Sequence, residues 1–200
     1  MLRILCVTII FFTTISAHPV IFKNGKVFWV SQSENFNDIR FGISKTSNWL
    51  IGGRLLEDRK TDEAFALINN NFLAKRWNSR NSQANLYLLT SVGLNTKNSE
   101  PMGSLGIHGD WENRQIMVMQ MLEHFSHNSS IVATTRIAYS PITVDYSKLS
   151  TWLIAQYRIE YKDQEYSYMF IPVVRLFKKN YLFELGFNGD DTFLSFMTHF

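Results

Sequence analysis

The chain has 200 residues, 46% of them hydrophobic and 18% charged, which is the length of one domain and leaves little room for a second core. Its net charge of +3 comes from 20 Lys and Arg against 17 Asp and Glu that are scattered along the chain, so the concentrated basic stripe of a nucleic-acid binder is missing and no nucleic-acid partner is expected. With 10 Gly, 4 Pro and 14% aromatic residues, 16 of them Phe, the composition also excludes disordered and collagen-like chains.

Residues 1–17 begin with Arg3, run through an apolar stretch from Ile4 to Phe12 and close on Thr13-Thr14-Ile15-Ser16-Ala17. This is the pattern of a cleaved secretory signal, and it is shorter than the run of about 20 apolar residues that an anchor requires. Cys6 is the only cysteine and lies within it, too close to the start to be a lipoprotein acceptor. The mature chain, 18–200, is then a single domain exported without a disulfide, which is unusual for a small secreted fold. No later segment offers the roughly 18 uninterrupted apolar residues of a spanning helix. Two routes stay open: a soluble periplasmic or secreted fold, or a closed barrel in an outer membrane.

From residue 18 onward, period-two alternation recurs. Ile39, Phe41 and Ile43 alternate with Arg40, Gly42 and Ser44. Between Gln83 and Asn95, Ala84, Leu86, Leu88, Thr90, Val92 and Leu94 oppose Asn85, Tyr87, Leu89, Ser91 and Gly93. Leu105, Ile107 and Trp111 oppose Ser104, His108 and Asp110. Leu153, Ala155, Tyr157, Ile159 and Tyr161 oppose Trp152, Ile154, Gln156, Arg158 and Glu160, and Tyr181, Phe183, Leu185 and Phe187 oppose Leu182, Glu184 and Gly186. Successive side chains point to opposite faces of a strand, so each segment is a strand with one apolar and one more polar face.

Polar, turn-forming clusters separate these segments, among them 33–35, 45–48, 58–62, 78–82, 126–130, 162–165 and 188–191. They delimit twelve candidate strands, many about ten residues long, which is the length a tilted strand needs to cross a bilayer. Three features fit less well and make ten the fallback. Ile116 to Phe125 is apolar on both faces, Asn69-Asn70-Asn71 interrupts a strand, and Pro172 implies a bulge or a strand boundary.

The chain ends Thr192 to Phe200, with Leu194, Phe196, Thr198 and Phe200 on one face. A terminal Phe closing an alternating strand resembles the sorting signal of bacterial outer-membrane β-barrels, and the resemblance implies that Leu194, Phe196 and Phe200 are read by the barrel assembly machinery. The region from Lys75-Arg76-Trp77 to Leu86-Tyr87-Leu88 resembles a family of small uncharacterised outer-membrane proteins. The expected fold is an all-β, closed antiparallel transmembrane barrel in a Gram-negative outer membrane, in contact with its lipid and lipopolysaccharide. In hydrocarbon every backbone N–H and C=O must be paired, and a sheet achieves this only by closing on itself. Trp29, Trp49, Trp111, Tyr139, Tyr161, Tyr166 and Tyr181, near strand ends, then form interfacial girdles. A soluble sandwich or lipocalin-like barrel binding a small ligand shows the same alternation and remains the other fold reading.

If the apolar faces meet lipid, the opposite faces place Arg40, Arg54, Arg136, Arg158 and Arg175 in the lumen with Asp110, Glu160 and Glu184. Such a lining either pairs into a plug or leaves a narrow passage with a slight anion preference. The expected role is structural or passive transport, with no bound cofactor. Two chemical alternatives are carried forward. Met117, Met119 and Met121 share a strand face, and thioethers suit soft copper ions, as does His18 at the mature N-terminus; same-face neighbours lie about 7 Å apart, too far for one ion to hold all three. His124-Phe125-Ser126 resembles the His-x-Ser pair of outer-membrane lipid A deacylases, which implies a His124 base and a Ser126 nucleophile. The acid that this family carries downstream of the His is missing from 131–143.

Overall fold

The computed structural model describes residues 19–200; the segment 1–17 expected to be a signal, with Cys6, and His18 lie outside the described residues. The alternating segments form twelve strands: β1 (Lys26–Gln32), β2 (Phe36–Ser44), β3 (Trp49–Asp58), β4 (Glu63–Asn78), β5 (Ser82–Asn95) and β6 (Pro101–Asn113), then β7 (Ile116–Phe125), β8 (Ser130–Tyr139), β9 (Ser150–Lys162), β10 (Glu165–Lys178), β11 (Tyr181–Phe187) and β12 (Thr192–His199). Each strand pairs antiparallel with the next. β1 also pairs with β12, from Val27 opposite His199 to Gln32 opposite Leu194, so the sheet closes into a twelve-stranded barrel. The start of β1 and the end of β12 lie at one end, here the terminal end, with the β2–β3, β4–β5, β6–β7, β8–β9 and β10–β11 connections; the remaining turns form the distal end.

Turn chemistry supports this hairpin ladder. Asp163 and Gln164 join β9 to β10 with φ of 53° and 67°, the double positive φ of a two-residue turn whose twist matches the flanking strands. Gly42 and Gly52 face each other between β2 and β3, and a Cβ on Gly52 would strike the Phe41 carbonyl oxygen and come within 2.6 Å of the Gly42 Cα. That wall is tight because the obstructing atoms are backbone.

The barrel is apolar outside and polar inside. Val92, Leu105 and Ile107 face outward with 59, 55 and 53% exposure, while Ser91, Ser104 and Asn85 on the alternate positions are buried. A soluble barrel has the reverse arrangement; this one suits a hydrocarbon surround, which accepts the apolar exterior while the polar side chains satisfy one another within.

Several sequence expectations are corrected. Asn69-Asn70-Asn71 does not interrupt β4. Asn69 and Asn71 turn inward, where Ser91 Oγ donates to Asn69 Oδ1 at 3.0 Å and Asn69 Nδ2 donates to Asn71 Oδ1 at 3.2 Å. Pro172 produces neither bulge nor boundary, because β11 pairs with β10 only from Val173 onward and the half of β10 from Glu165 to Pro172 is laddered to β9 alone. The missing donor thus falls where no β11 acceptor waits. The register shift lies instead in β4, between Leu73 and Lys75. Strand β7 is resolved by its environment: Ile116, Val118 and Leu122 face outward, and Met117, Met119, Met121, Glu123 and Phe125 face inward. Trp29 also points inward, donating from Nε1 to Ser195 Oγ at 2.8 Å, so it is not part of a girdle. Trp111, Tyr139, Tyr166 and Tyr181 are exposed on the outer face, and Trp49 stacks on outward Phe72 as Tyr161 packs on Tyr166.

Replacing Gly52 by Val forces rigid backbone apart, and overpacking of this kind costs about 1–3 kcal/mol. Gly52→Val is expected to lower the fraction of chain that refolds to the heat-modifiable form on a gel, whereas Ile68→Val on the outer face leaves that fraction unchanged.

Candidate functional site

The lumen is the chemically distinctive region. Its walls enclose a central cavity of about 200 Å³. Toward the distal end it is narrowed by a cluster that includes Phe36, Leu56, Phe65 and Phe125. Toward the terminal end the segment before β1 enters the barrel, and Val20, 1% exposed, packs with Leu50, Leu73, Tyr87 and Leu89. Asn71 Nδ2 donates to the Pro19 carbonyl at 3.0 Å, and Ser44 Oγ accepts the Ile21 amide at 3.2 Å.

Between these apolar ends the charges form two networks. Asp38 accepts from Arg40 Nη2 at 2.5 Å and from Arg54 Nη2 at 2.9 Å. Arg54 Nη1 reaches across the lumen from β3 to Glu123 Oε1 on β7, at 2.5 Å, and Ser104 Oγ donates to the same carboxylate at 2.8 Å. In the second network Glu184 on β11 accepts from Arg175 Nε at 2.7 Å and from Arg136 Nη1 at 3.1 Å, while Arg136 Nε donates to Gln156 at 2.6 Å. Nearer the distal end, Asn35 Nδ2 donates to Glu160 at 2.8 Å and Lys60 approaches it at 3.5 Å. Asp110 accepts from Asn85 Nδ2 at 2.7 Å and lies 3.1 Å from His108 Nε2.

Guanidinium groups also lie over aromatic rings. Arg40 sits 4.6 Å from the Trp29 centroid, Arg158 5.0 Å from Phe36, Arg136 5.2 Å from Phe193 and Arg54 5.6 Å from Phe125. Ring faces attract cations most when both are withdrawn from water, which helps compensate the dehydration of these side chains. Arg158 forms no ion pair among the described residues and rests on Phe36.

The structure therefore turns Arg40, Arg54, Arg136, Arg158, Arg175, Asp110, Glu160 and Glu184 toward the interior. It also brings in carboxylates that the sequence reading passed over. Asp38 shares the parity of Arg40, and Glu123 that of the three Met, so alternation contained both; Glu112 is buried as well. These acids offset the arginines and remove the basis for an anion preference.

The other candidates separate. Met117, Met119 and Met121 line the cavity, with Arg175 Nη1 3.5 Å from Met117 Sδ, whereas His124 faces outward and His18 lies outside the described residues. Among the described residues no cluster of three His, Cys, Asp or Glu is placed to hold a metal. Among the described residues no hydrogen bond joins His124 to Ser126: Ser126 Oγ accepts the Gly103 amide at 2.8 Å, and His124 lies on the exterior opposite Leu105 and Ile131. In β12, Leu194 and Phe196 share the outer face while Phe193, Ser195 and Met197 point inward, and Phe200, just past the strand, is exposed.

No family model matches the chain, and no curated protein does. Among solved structures it is similar to a KdgM porin and to a KdgM porin in complex with disordered oligogalacturonate, each at a TM-score of 0.52 and 11% identity over 88% of this chain and 98% of that one. The likeness is one of fold: a closed β-barrel of the same size.

Because Glu184 is shared by two arginines, removing it strands both. Glu184→Ala is expected to cost about 3–5 kcal/mol, the usual penalty for an uncompensated buried charge. Replacing Arg136, Arg175 and Glu184 together by Met, Leu and Leu is expected to recover most of that loss, as read from urea midpoints by tryptophan fluorescence.

Proposed function

We propose that this chain is a passive-transport barrel of a bacterial outer membrane, held in a largely closed state by its own lumenal side chains. The observation that carries the reading is the inversion of the barrel, with Val92, Leu105 and Ile107 presented to the surroundings and Arg54, Asp38 and Glu123 gathered inside around a cavity. An exterior of this kind asks for lipid and lipopolysaccharide, and a polar interior offers small hydrophilic solutes a path. The porin neighbours support the same role. The outward Leu194 and Phe196 of the last strand, with the exposed Phe200 just past it, suit recognition by the barrel assembly machinery. No cofactor is invoked.

The obstacle to a solute is the Arg54–Glu123 bar with the Phe36–Phe125 stack, whose centroids lie 5.7 Å apart. The lumenal acids slightly outnumber the five arginines and give no preference for anions, so the acidic sugar in one of the neighbouring structures is not carried over as a substrate.

In a planar bilayer the wild-type barrel is expected to show small unit currents with little preference between potassium and chloride. The double substitution Arg54→Ala, Glu123→Ala clears the bar without leaving an unpaired charge and is expected to raise unit conductance roughly twofold or more. Silence from both proteins, each confirmed folded by heat-modifiable mobility, refutes transport; recovery of the mature protein in an osmotic-shock fluid without detergent refutes the membrane location.

A further inference from the structure

Charges outside the lumen are sorted by end. At the terminal end Lys23 and Lys26 lead into β1, Lys45 stands in the β2–β3 turn, and Lys75 and Arg80 lie on either side of Asn78, where β4 ends. Lys148 in the β8–β9 connection and Lys178 and Lys179 at the β10–β11 turn continue the circuit. All of these are exposed, and among the described residues none is in an ion pair. Of the acids at this end, Asp145 is exposed and Glu112 is turned inward. The distal end is the opposite: Glu34, Asp62, Glu100, Asp163, Glu165 and Asp190 are exposed there, and three of its cations are engaged. Lys97 pairs with Asp62 at 2.8 Å, Lys60 with Glu160 at 3.5 Å, and Arg59 Nη1 donates to the Ser33 carbonyl at 3.0 Å.

Depth gives the ring its meaning. Trp77, Trp111, Tyr139 and Tyr181 are exposed on the outer face near the same end, and aromatic side chains of this kind mark the level of the lipid headgroups. Lys26 shares the outward parity of Phe28, and Lys178 that of Val174, so both continue apolar lipid-facing rows to headgroup depth. A requirement for solubility would distribute lysines over both ends. Instead one end holds like charges that repel one another unless counter-charges are supplied from outside, and the neighbours available at that depth are headgroups.

We propose that the terminal-end ring binds the phosphates of anionic phospholipids in the adjoining leaflet. This rests on the membrane reading above but not on conduction. Lys and Arg at headgroup level attract anionic lipid electrostatically, and a ring around the perimeter recruits several such lipids to one barrel.

The full chain is inserted into phosphatidylcholine nanodiscs with and without phosphatidylglycerol, and the lipids it retains on release are counted by native mass spectrometry. Phosphatidylglycerol is expected to be enriched on the wild-type barrel over its share in the disc. Lys45→Gln, Lys75→Gln, Arg80→Gln and Lys179→Gln together are expected to lower that enrichment about tenfold, whereas Lys97→Gln with Lys162→Gln at the distal end leaves it intact. Equal retention of the two lipids, equal losses in both variants, or loss of enrichment on adding inorganic phosphate at constant ionic strength overturns the proposal. Failure to insert into either disc overturns it together with the membrane reading, while insertion without enrichment overturns the lipid site alone. All four substituted residues are exposed, and gel mobility confirms that each variant is folded.

Discussion

A backbone amide or carbonyl in hydrocarbon has no water to bond, and each one left unpaired costs several kcal/mol. The β1–β12 seam is the structural answer, since without Val27 opposite His199 and Gln32 opposite Leu194 both terminal strands would present bare edges. The same requirement accounts for details elsewhere. Pro172 is tolerated where β10 has outrun β11, and the β4 irregularity between Leu73 and Lys75 falls beyond Phe72, the last β4 residue paired with β3. A wall stapled by twelve ladders also gives the domain a closed frame that needs no cysteine after Cys6.

Closing the wall creates the second problem, a lumen that must be filled or left wet. Here it is filled in two ways. Apolar clusters around Phe65 and around Val20 occupy the two ends, and the charged middle is cross-linked by side chains from strands that never touch through their backbones. Arg54 and Glu123 are 69 residues apart in sequence, and Arg136 and Glu184 are 48 apart. Each guanidinium that leaves water gains a carboxylate, an aromatic face, or both, which is the condition under which a buried charge is tolerated.

That distinction explains what was readable in advance. Period-two alternation is local, so the twelve strands, their outward faces and the inward parity of Arg40 or Arg158 follow from neighbouring residues alone. Partner choice across the lumen is not local: nothing near Glu123 announces Arg54, and an apolar setting among Met117, Met119 and Met121 concealed the acid. Asn69-Asn70-Asn71 misled for a related reason, because strand propensity penalises Asn while a polar lumen satisfies it, through Ser91 and the Pro19 carbonyl. Trp29 was assigned by its chemistry to an interface, whereas its parity with Val27 and Ser31 pointed inward. His124 and Ser126 do share a face, but that face is the exterior, where Ser126 Oγ is taken up by the Gly103 amide.

The net charge of +3 conceals two different electrostatic regimes. Inside, dehydration penalises any unmatched ion, so arginines and carboxylates accumulate together, through Asp38 shared by Arg40 and Arg54 and Glu184 shared by Arg136 and Arg175. At the rims, solvent screens each charge and imposes no such balance, so lysines gather at one end and acids at the other at little cost to the fold. The sorting therefore carries information about surroundings that the lumen, constrained by its own stability, does not. A barrel with nearly matched interior charges and oppositely charged rims has a dipole along its axis that is set by the rims and not by the lumen.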